Sequence, residues 1–217
     1  MTFAEKKAKE LTELVNLGLI NKNEARDILK FNISALNKLY SPNKCREDFM
    51  RLVHFEIKLG ESLRSKNEKV WNRMILPSLC RLMNLGAQNF AKDIKVLCFA
   101  LQFYEAHSLK KHFLKLSTSA LASIPDSFEL IEVYTRFQAK VLGDVMSARK
   151  LLMLKIRDFP NDINCWVLLL QIEYLVAEND IRLFQHVYDK SCVTFGRCEI
   201  NSRLEKIGVN ISRFQIE

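Results

Sequence analysis

Residues 148–173 read ARKLLMLKIRDFPNDINCWVLLLQIE. An apolar helical run ends at Pro160, and a second apolar run carrying Trp166 follows it. Proline has no N–H to donate and pushes its predecessor out of helical geometry, so it stops the first helix sharply. Asp162 stands where an N-cap opens the next one. Trp166 and Glu173 lie two helical turns apart and therefore share a face. The same frame fits Ile131, Tyr134, Phe137 and Gln138. It fits Cys98, Leu101, Tyr104 and Glu105, and again Phe49, Leu52, Phe55 and Glu56. Successive copies step by 33 residues (Cys98 to Ile131) and 35 (Ile131 to Trp166), and Pro125 and Pro160 are also 35 apart. Only Phe49 to Cys98 is longer, at 49, where Pro77 intervenes. The hairpin is one copy of a repeat, and one hairpin cannot bury both its faces without neighbours.

The rest of the chain reads the same way. Apolar residues recur at helical spacing, strand-like alternation is absent, and there are only six Gly and four Pro. A first helix from Phe3 to Leu17 stops at Gly18, a left-handed C-cap. Asn21 with Glu24 opens a second as a capping box, and Ser41-Pro42 ends it. A third covers 46–64, and Pro77 predicts a kink or break within 70–85. Pairs then follow at 93–107 with 109–123, 127–142 with 145–158, and 162–178 with 180–194, with Asp126 and Asp162 as caps and Gly143-Asp144 as a tight turn. A short helix over 199–207 comes last. The expected fold is all-α, a superhelical array of antiparallel helix pairs, a TPR-like α-solenoid. It divides into an N-terminal hairpin (1–43), an irregular unit broken at Pro77 (44–92), regular repeats (93–195) and a C-terminal short helix or tail (196–217). The expected repeat core is Phe49, Leu52, Glu56, Cys98, Leu101, Glu105, Ile131, Tyr134, Trp166 and Glu173. Its glutamates need partners between helices, because an unpaired buried carboxylate is costly.

Composition excludes several classes. No stretch reaches the eighteen uncharged apolar residues of a membrane span, and the charged N-terminus MTFAEKKAKELTEL has no signal-peptide core. The six cysteines form no CxxC pair and fit a reducing compartment, cytosol or nucleus. No phosphate-binding glycine loop, GxSxG or HExxH occurs, and His107 and His112 flank a helix break as a poor metal pair. The reading therefore has no catalytic residues, metal, cofactor, small-molecule substrate or membrane. The net charge is +8, and the excess lies in residues 1–116, with 21 basic against 12 acidic side chains.

A hairpin of about this length, with W-x-x-Y-x-x-x-E on one helix and A-R-x-x-x…A-L-x-x-x-P on the other, resembles the half-a-TPR (HAT) repeat. Ala148-Arg149 through Pro160 matches the second helix, and Trp166 with Glu173 the next first helix. HAT repeats occur in RNA-processing complexes. The N-terminal quarter, with Gly18-Leu19, then Asn21-Lys22-Asn23-Glu24, then the phrase DFMRLVHFE over 48–56, resembles one HAT family. This is the U-three small nucleolar RNA-associated protein of UTP-B, a subcomplex of the small-subunit processome. Cys98 and Ile131 depart from its aromatic consensus, and the family's further C-terminal repeats have no counterpart here.

The resemblance implies a non-catalytic scaffold of the nucleus and nucleolus, acting in pre-rRNA processing. Implied partners are the WD-repeat propeller proteins of UTP-B, with pre-rRNA and box C/D small nucleolar RNA within the complex. A HAT scaffold of splicing or mRNA 3′-end formation is the nearest alternative. A prenyltransferase α-like enzyme subunit, faintly suggested by Val70-Trp71-Asn72, is the remaining one. Candidate contacts to RNA or an acidic partner form two groups in sequence: Lys44, Arg46, Arg51, Arg64, Lys66, Lys69 and Arg73, then Lys92, Lys95, Lys110 and Lys111. Few aromatics interleave them, so stacking on bases is not indicated.

Overall fold

In the computed structural model, residues 3–176 and 181–209 are described, and every regular element among them is helical. The chain divides into two compact units, Met1–Leu116 and Ser117–Glu217. The first holds α1 (Phe3–Asn16), α2 (Lys22–Leu39), α3 (Arg46–Lys66), a single turn α4 (Glu68–Val70), a π turn (Trp71–Ile75), α5 (Leu76–Asn89) and α6 (Ile94–Ala106). The division falls inside α7 (Lys110–Ser123). The second holds α8 (Phe128–Phe137), a π turn (Gln138–Leu142), α9 (Val145–Asp158), α10 (Ile163–Val176), α11 (Ile181–Phe195) and α12 (Arg197–Lys206). Within the first unit α1 packs on α2, α2 on α3, α3 on α5 and α5 on α6; within the second, α8 through α12 pack in the same consecutive order. That order is the one a helical solenoid requires. The join expected between 178 and 180, and the tail from 210, lie outside the described residues.

Local chemistry explains most helix ends. Gly18 adopts φ +69°, and the N–H groups of Gly18 and Leu19 donate to the carbonyls of Val15 and Leu14, both at 3.0 Å, which is a complete Schellman cap. Asn21 and Glu24 exchange side-chain and backbone bonds at 2.8 and 2.7 Å, the capping box. One expected cap is corrected: Ser127, not Asp126, caps α8, its hydroxyl accepting from the Leu130 N–H at 3.3 Å. Asp126 instead accepts from Lys155 at 2.8 Å. Asp162 does meet the start of α10, accepting from the Asn164 N–H at 3.0 Å.

Pro77 does not break the chain. The Leu76 N–H donates to the Trp71 carbonyl, a bond one residue longer than the α-helical one, and the helix then continues as α5. The wider π turn makes room for the proline ring against the preceding turn, where a continuous α-helix would clash with it. Two glycines seat this segment on α3. A Cβ at Gly86 would lie 2.0 Å from Phe49 Cζ, and one at Gly60 would lie 2.6 Å from Trp71 Cζ3. Phe49, Trp71 and Ile75 are all buried, so these rings have nowhere to retreat.

The repeat-frame residues fall unevenly. Phe49, Leu52, Leu101 and Ile131 are buried, whereas Cys98, Tyr134 and Trp166 are half-buried. Beside half-buried Cys98 on α6 it is Leu97 that is covered, and beside Trp166 on α10 it is Cys165. On α10 the inward stripe is Cys165, Leu168, Leu169 and Ile172, which packs with Ile131, Ala148, Leu152 and Ile156. The Trp166 ring flanks that cluster and sends its Nε1–H to the Pro160 carbonyl at 3.0 Å. A polar indole edge is satisfied there without full burial.

Four buried polar residues tie the first unit together. Lys7 on α1 is 1% exposed, and its Nζ donates to Glu10 Oε1 and to Glu56 Oε2 on α3, both at 2.6 Å. Asn32 on α2 completes the site, its Nδ2 donating to Glu56 Oε1 at 2.7 Å. Burial by itself would lower the Lys7 pKa, but the Glu56 and Glu10 charges outweigh it and hold the ammonium above its ordinary 10.5. A raised lysine pKa keeps its stabilising contribution whole below the unfolded value, and loses it only as pH climbs through the folded one.

Three outcomes follow from this packing. Lys7→Met leaves Glu10 and Glu56 buried without their cation and costs about 3–5 kcal/mol in urea denaturation; a loss under about 1 kcal/mol would refute the charged cluster. Gly86→Ala costs about 2 kcal/mol despite its better helix propensity, because Phe49 must move. Burial pushes the thiols of Cys80 and Cys165 up to about 11 and about 12, so in native protein at neutral pH a disulfide reagent labels exposed Cys198 and leaves those two unreacted until denaturant is added.

Candidate nucleic-acid interface

The first basic group is contiguous in sequence and divided in space. Lys44 and Arg46 stand at the start of α3, and Arg64 and Lys66 at its end, about 30 Å away along the axis. At the start, the antiparallel packing brings Lys92 and Lys95 alongside: Arg46, Asn89, Lys92, Asp93 and Lys95 line one shallow depression, and Lys44 Nζ donates to Asn89 Oδ1 at 3.2 Å. At the other end Arg64 lies over the Trp71 ring at 5.5 Å, Lys66 donates to the Leu19 carbonyl at 3.3 Å, and Lys69 is exposed nearby in α4. Lys110 and Lys111 open α7.

Much of this charge is already matched. Arg46 pairs with Glu47 at 2.9 Å and Asp93 at 3.4 Å. The Cys45 thiol, a backbone N–H and then Arg46 hold the Glu47 carboxyl down at about 2, so that pair stays ionised. Arg51 faces Asp48 at 3.7 Å, Arg64 faces Glu68 at 3.9 Å, and Arg73 faces Glu13 on α1 at 3.1 Å. The His107 ring lies tilted against that of Trp71, centroids 5.4 Å apart; burial first, then Arg64, hold its imidazole below the usual value against the opposing pull of Glu61. At neutral pH it adds no positive charge.

Two further surfaces were not singled out from sequence. In the first unit a groove of about 320 Å³ runs between α1 and the Pro77 segment, with Lys6 and Lys9 on one wall and Arg73 and Arg81 on the other. In the second unit a groove of about 330 Å³ crosses the first helices of successive pairs, from Phe128 on α8 over Val167 and Leu168 on α10 to Arg203 and Lys206 on α12. Neither has a local motif; each exists only because helices distant in sequence lie side by side. Among the described residues no group of three or more His, Cys, Asp or Glu is placed to hold a metal ion, and no helix is long and apolar enough to cross a membrane.

The glutamates of the repeat frame share a polar construction. Glu173 is 2% exposed, and Arg149 on the preceding helix grips it with two bonds, Nε–Oε1 at 2.6 Å and a terminal nitrogen to Oε2 at 2.7 Å. Arg149 precedes Glu173 by 24 residues, the separation by which Asn32 precedes Glu56. Gln138, at the equivalent place just after α8 in the π turn, is buried and donates to the Tyr134 hydroxyl at 2.7 Å. Glu105 is half-buried on α6.

Comparison with known proteins bears on the N-terminal module. A family model described as U3 small nucleolar RNA-associated protein 6 matches residues 4–74, from α1 through the π turn. A Dictyostelium discoideum protein described as U3 small nucleolar RNA-associated protein 6 homolog is 26% identical over 176 residues. That match covers 77% of this chain and 29% of the relative, so the chain spans less than a third of the relative's length. Both matches support the family of U3 small nucleolar RNA-associated protein 6.

Proposed function

We propose that this chain is a non-catalytic scaffold module of the small-subunit processome, within its UTP-B subcomplex, acting in pre-rRNA processing and small ribosomal subunit biogenesis. One observation carries the reading. The residues matched by the family model, 4–74, contain the whole buried cluster of Lys7, Glu10, Asn32 and Glu56 that clamps α1 and α2 onto α3. The likeness thus covers a built module and not a generic amphipathic helix. The descriptions of the family and of the Dictyostelium relative both refer to U3 small nucleolar RNA, which supports a place in the nucleolus and in ribosome biogenesis.

The mechanism is binding. Stacked helix pairs of HAT type spend their apolar stripes on one another and leave grooves and charged ends for other molecules. WD-repeat propeller proteins of UTP-B are the protein partners in this reading, and pre-rRNA and box C/D small nucleolar RNA the nucleic acids. The basic residues around Arg46, Lys92 and Lys95 at one end of α3, and around Arg64, Lys66 and Lys69 at the other, are candidates to meet their phosphates.

Affinity purification of the tagged chain from cells tests the assignment. The expected result is co-purification of WD-repeat propeller proteins with U3 small nucleolar RNA and pre-rRNA, and nucleolar fluorescence of the fusion. Recovery of spliceosomal RNAs or mRNA 3′-end factors in their place would transfer the chain to another class of HAT scaffold.

A further inference from the structure

We infer that the groove between α1 and the Pro77 segment is an RNA-backbone site, in which Lys6, Lys9, Arg73 and Arg81 grip the phosphates of a strand laid along it. On α1, Lys6, Lys9, Glu10 and Glu13 are spaced by three and four residues and form one ridge. On the opposing segment Arg73, Pro77 and Arg81 recur every four residues, and the two arginines stand about 12 Å apart along the axis. Four cations therefore face one depression from both sides.

The carboxylates in the groove do not cancel this charge. Glu10 is buried and already binds Lys7 at 2.6 Å, so its charge is spent inward. Glu13 meets Arg73 at 3.1 Å, but those side chains are 43% and 78% exposed, and such a pair is weak and readily exchanged for a phosphate. Lys6, Lys9 and Arg81 have no ion pair among the described residues. Arg46, Arg51 and Arg64, by contrast, each face a carboxylate within 4 Å. Like charges held across a concave surface raise the local potential and attract a polyanion.

The walls favour RNA over an acidic peptide. Both are helical, so an extended peptide finds no strand edge to pair with. The apolar surface is confined to Met74 and Pro77, which offers no anchor pocket for peptide side chains. A phosphate backbone needs neither, because cationic side chains alone position it without reading sequence. The exposed basic side chains keep their place because the buried Lys7–Glu10–Glu56 contact fixes the pitch and roll of α1 beneath them. This inference deepens the ribosome-biogenesis reading and rests on it for the presence of RNA nearby, but it has its own test.

The test is fluorescence anisotropy of the full chain with a fluorescein-labelled uridine oligonucleotide across a range of salt. Wild type is compared with the groove variant Lys6→Glu/Lys9→Glu/Arg81→Glu and with a control, Lys150→Glu/Lys190→Glu, whose exposed lysines lie on α9 and α11 outside every basic group named above. The groove variant is expected to lose about tenfold or more in affinity and to flatten the salt slope by about 0.7 for each contact removed. The control keeps most of its binding. Thermal melting checks that each variant is folded, and the glutamine triple Lys6→Gln/Lys9→Gln/Arg81→Gln, which introduces no new repulsion, is expected to show the same loss in milder form. Absence of RNA binding by wild type, unchanged binding by the folded groove variants, or binding of polyglutamate that RNA does not displace would each overturn the inference. Loss of the groove leaves co-purification with propeller proteins intact, whereas failure of the processome reading leaves uridine binding intact, so the two failures are distinguishable.

Discussion

A carboxylate buried between helices organises both units. Glu56 on α3 is held by Lys7 of α1 and Asn32 of α2, and Glu173 on α10 by the guanidinium fork of Arg149 on α9. A charge removed from water is tolerated only where donors replace its hydration, and the replacement works only at one helix spacing and one register. Apolar stripes alone would let helices slide or roll against each other at small cost. The carboxylate removes that freedom, so the surface side chains on these helices sit at defined positions. Asn32 and Arg149 take the same place relative to their glutamates, yet one is a neutral amide needing Lys7 to supply the charge and the other supplies it alone.

A second constraint comes from proline. Pro77 inside a helix has no N–H to donate and needs the preceding turn moved off its ring, and the π turn at Trp71–Ile75 gives that room. The extra residue changes the phase of the helix, and the segment can then lie flat on α3 because Gly60 and Gly86 leave room for Trp71 and Phe49. That arrangement exposes Arg73 and Arg81 along the wall facing α1. A feature that looks like an interruption of the repeat thus shapes a basic groove of the N-terminal unit.

The amino-acid sequence by itself determined the elements. Its 3.6-residue apolar periodicity, the caps at Gly18 and Asn21, and Pro125 and Pro160, which follow α7 and α9 two residues after their ends, act over a few residues and so can be read locally. It also carried the position of the frame glutamates, since a polar residue at a fixed place in an apolar stripe needs a partner. What only tertiary structure decided was which face each stripe turned inward and which charges met. Cys165 and Leu97, not their neighbours Trp166 and Cys98, took the covered places, because helix roll is set by packing on neighbouring helices, Cys165 meeting Ile131 of α8 and Ala148, Leu152 and Ile156 of α9. No local signal marks Lys7 out within the charged N-terminus; its burial exists only because folding brings Glu56 against it. The run of basic residues from Lys44 to Arg73, one cluster on paper, was split along the length of α3, while Lys6 and Arg81, far apart in the chain, were set across one groove. Coulomb interactions depend on distance in space, and antiparallel packing of helices makes distance along the chain a poor guide to it.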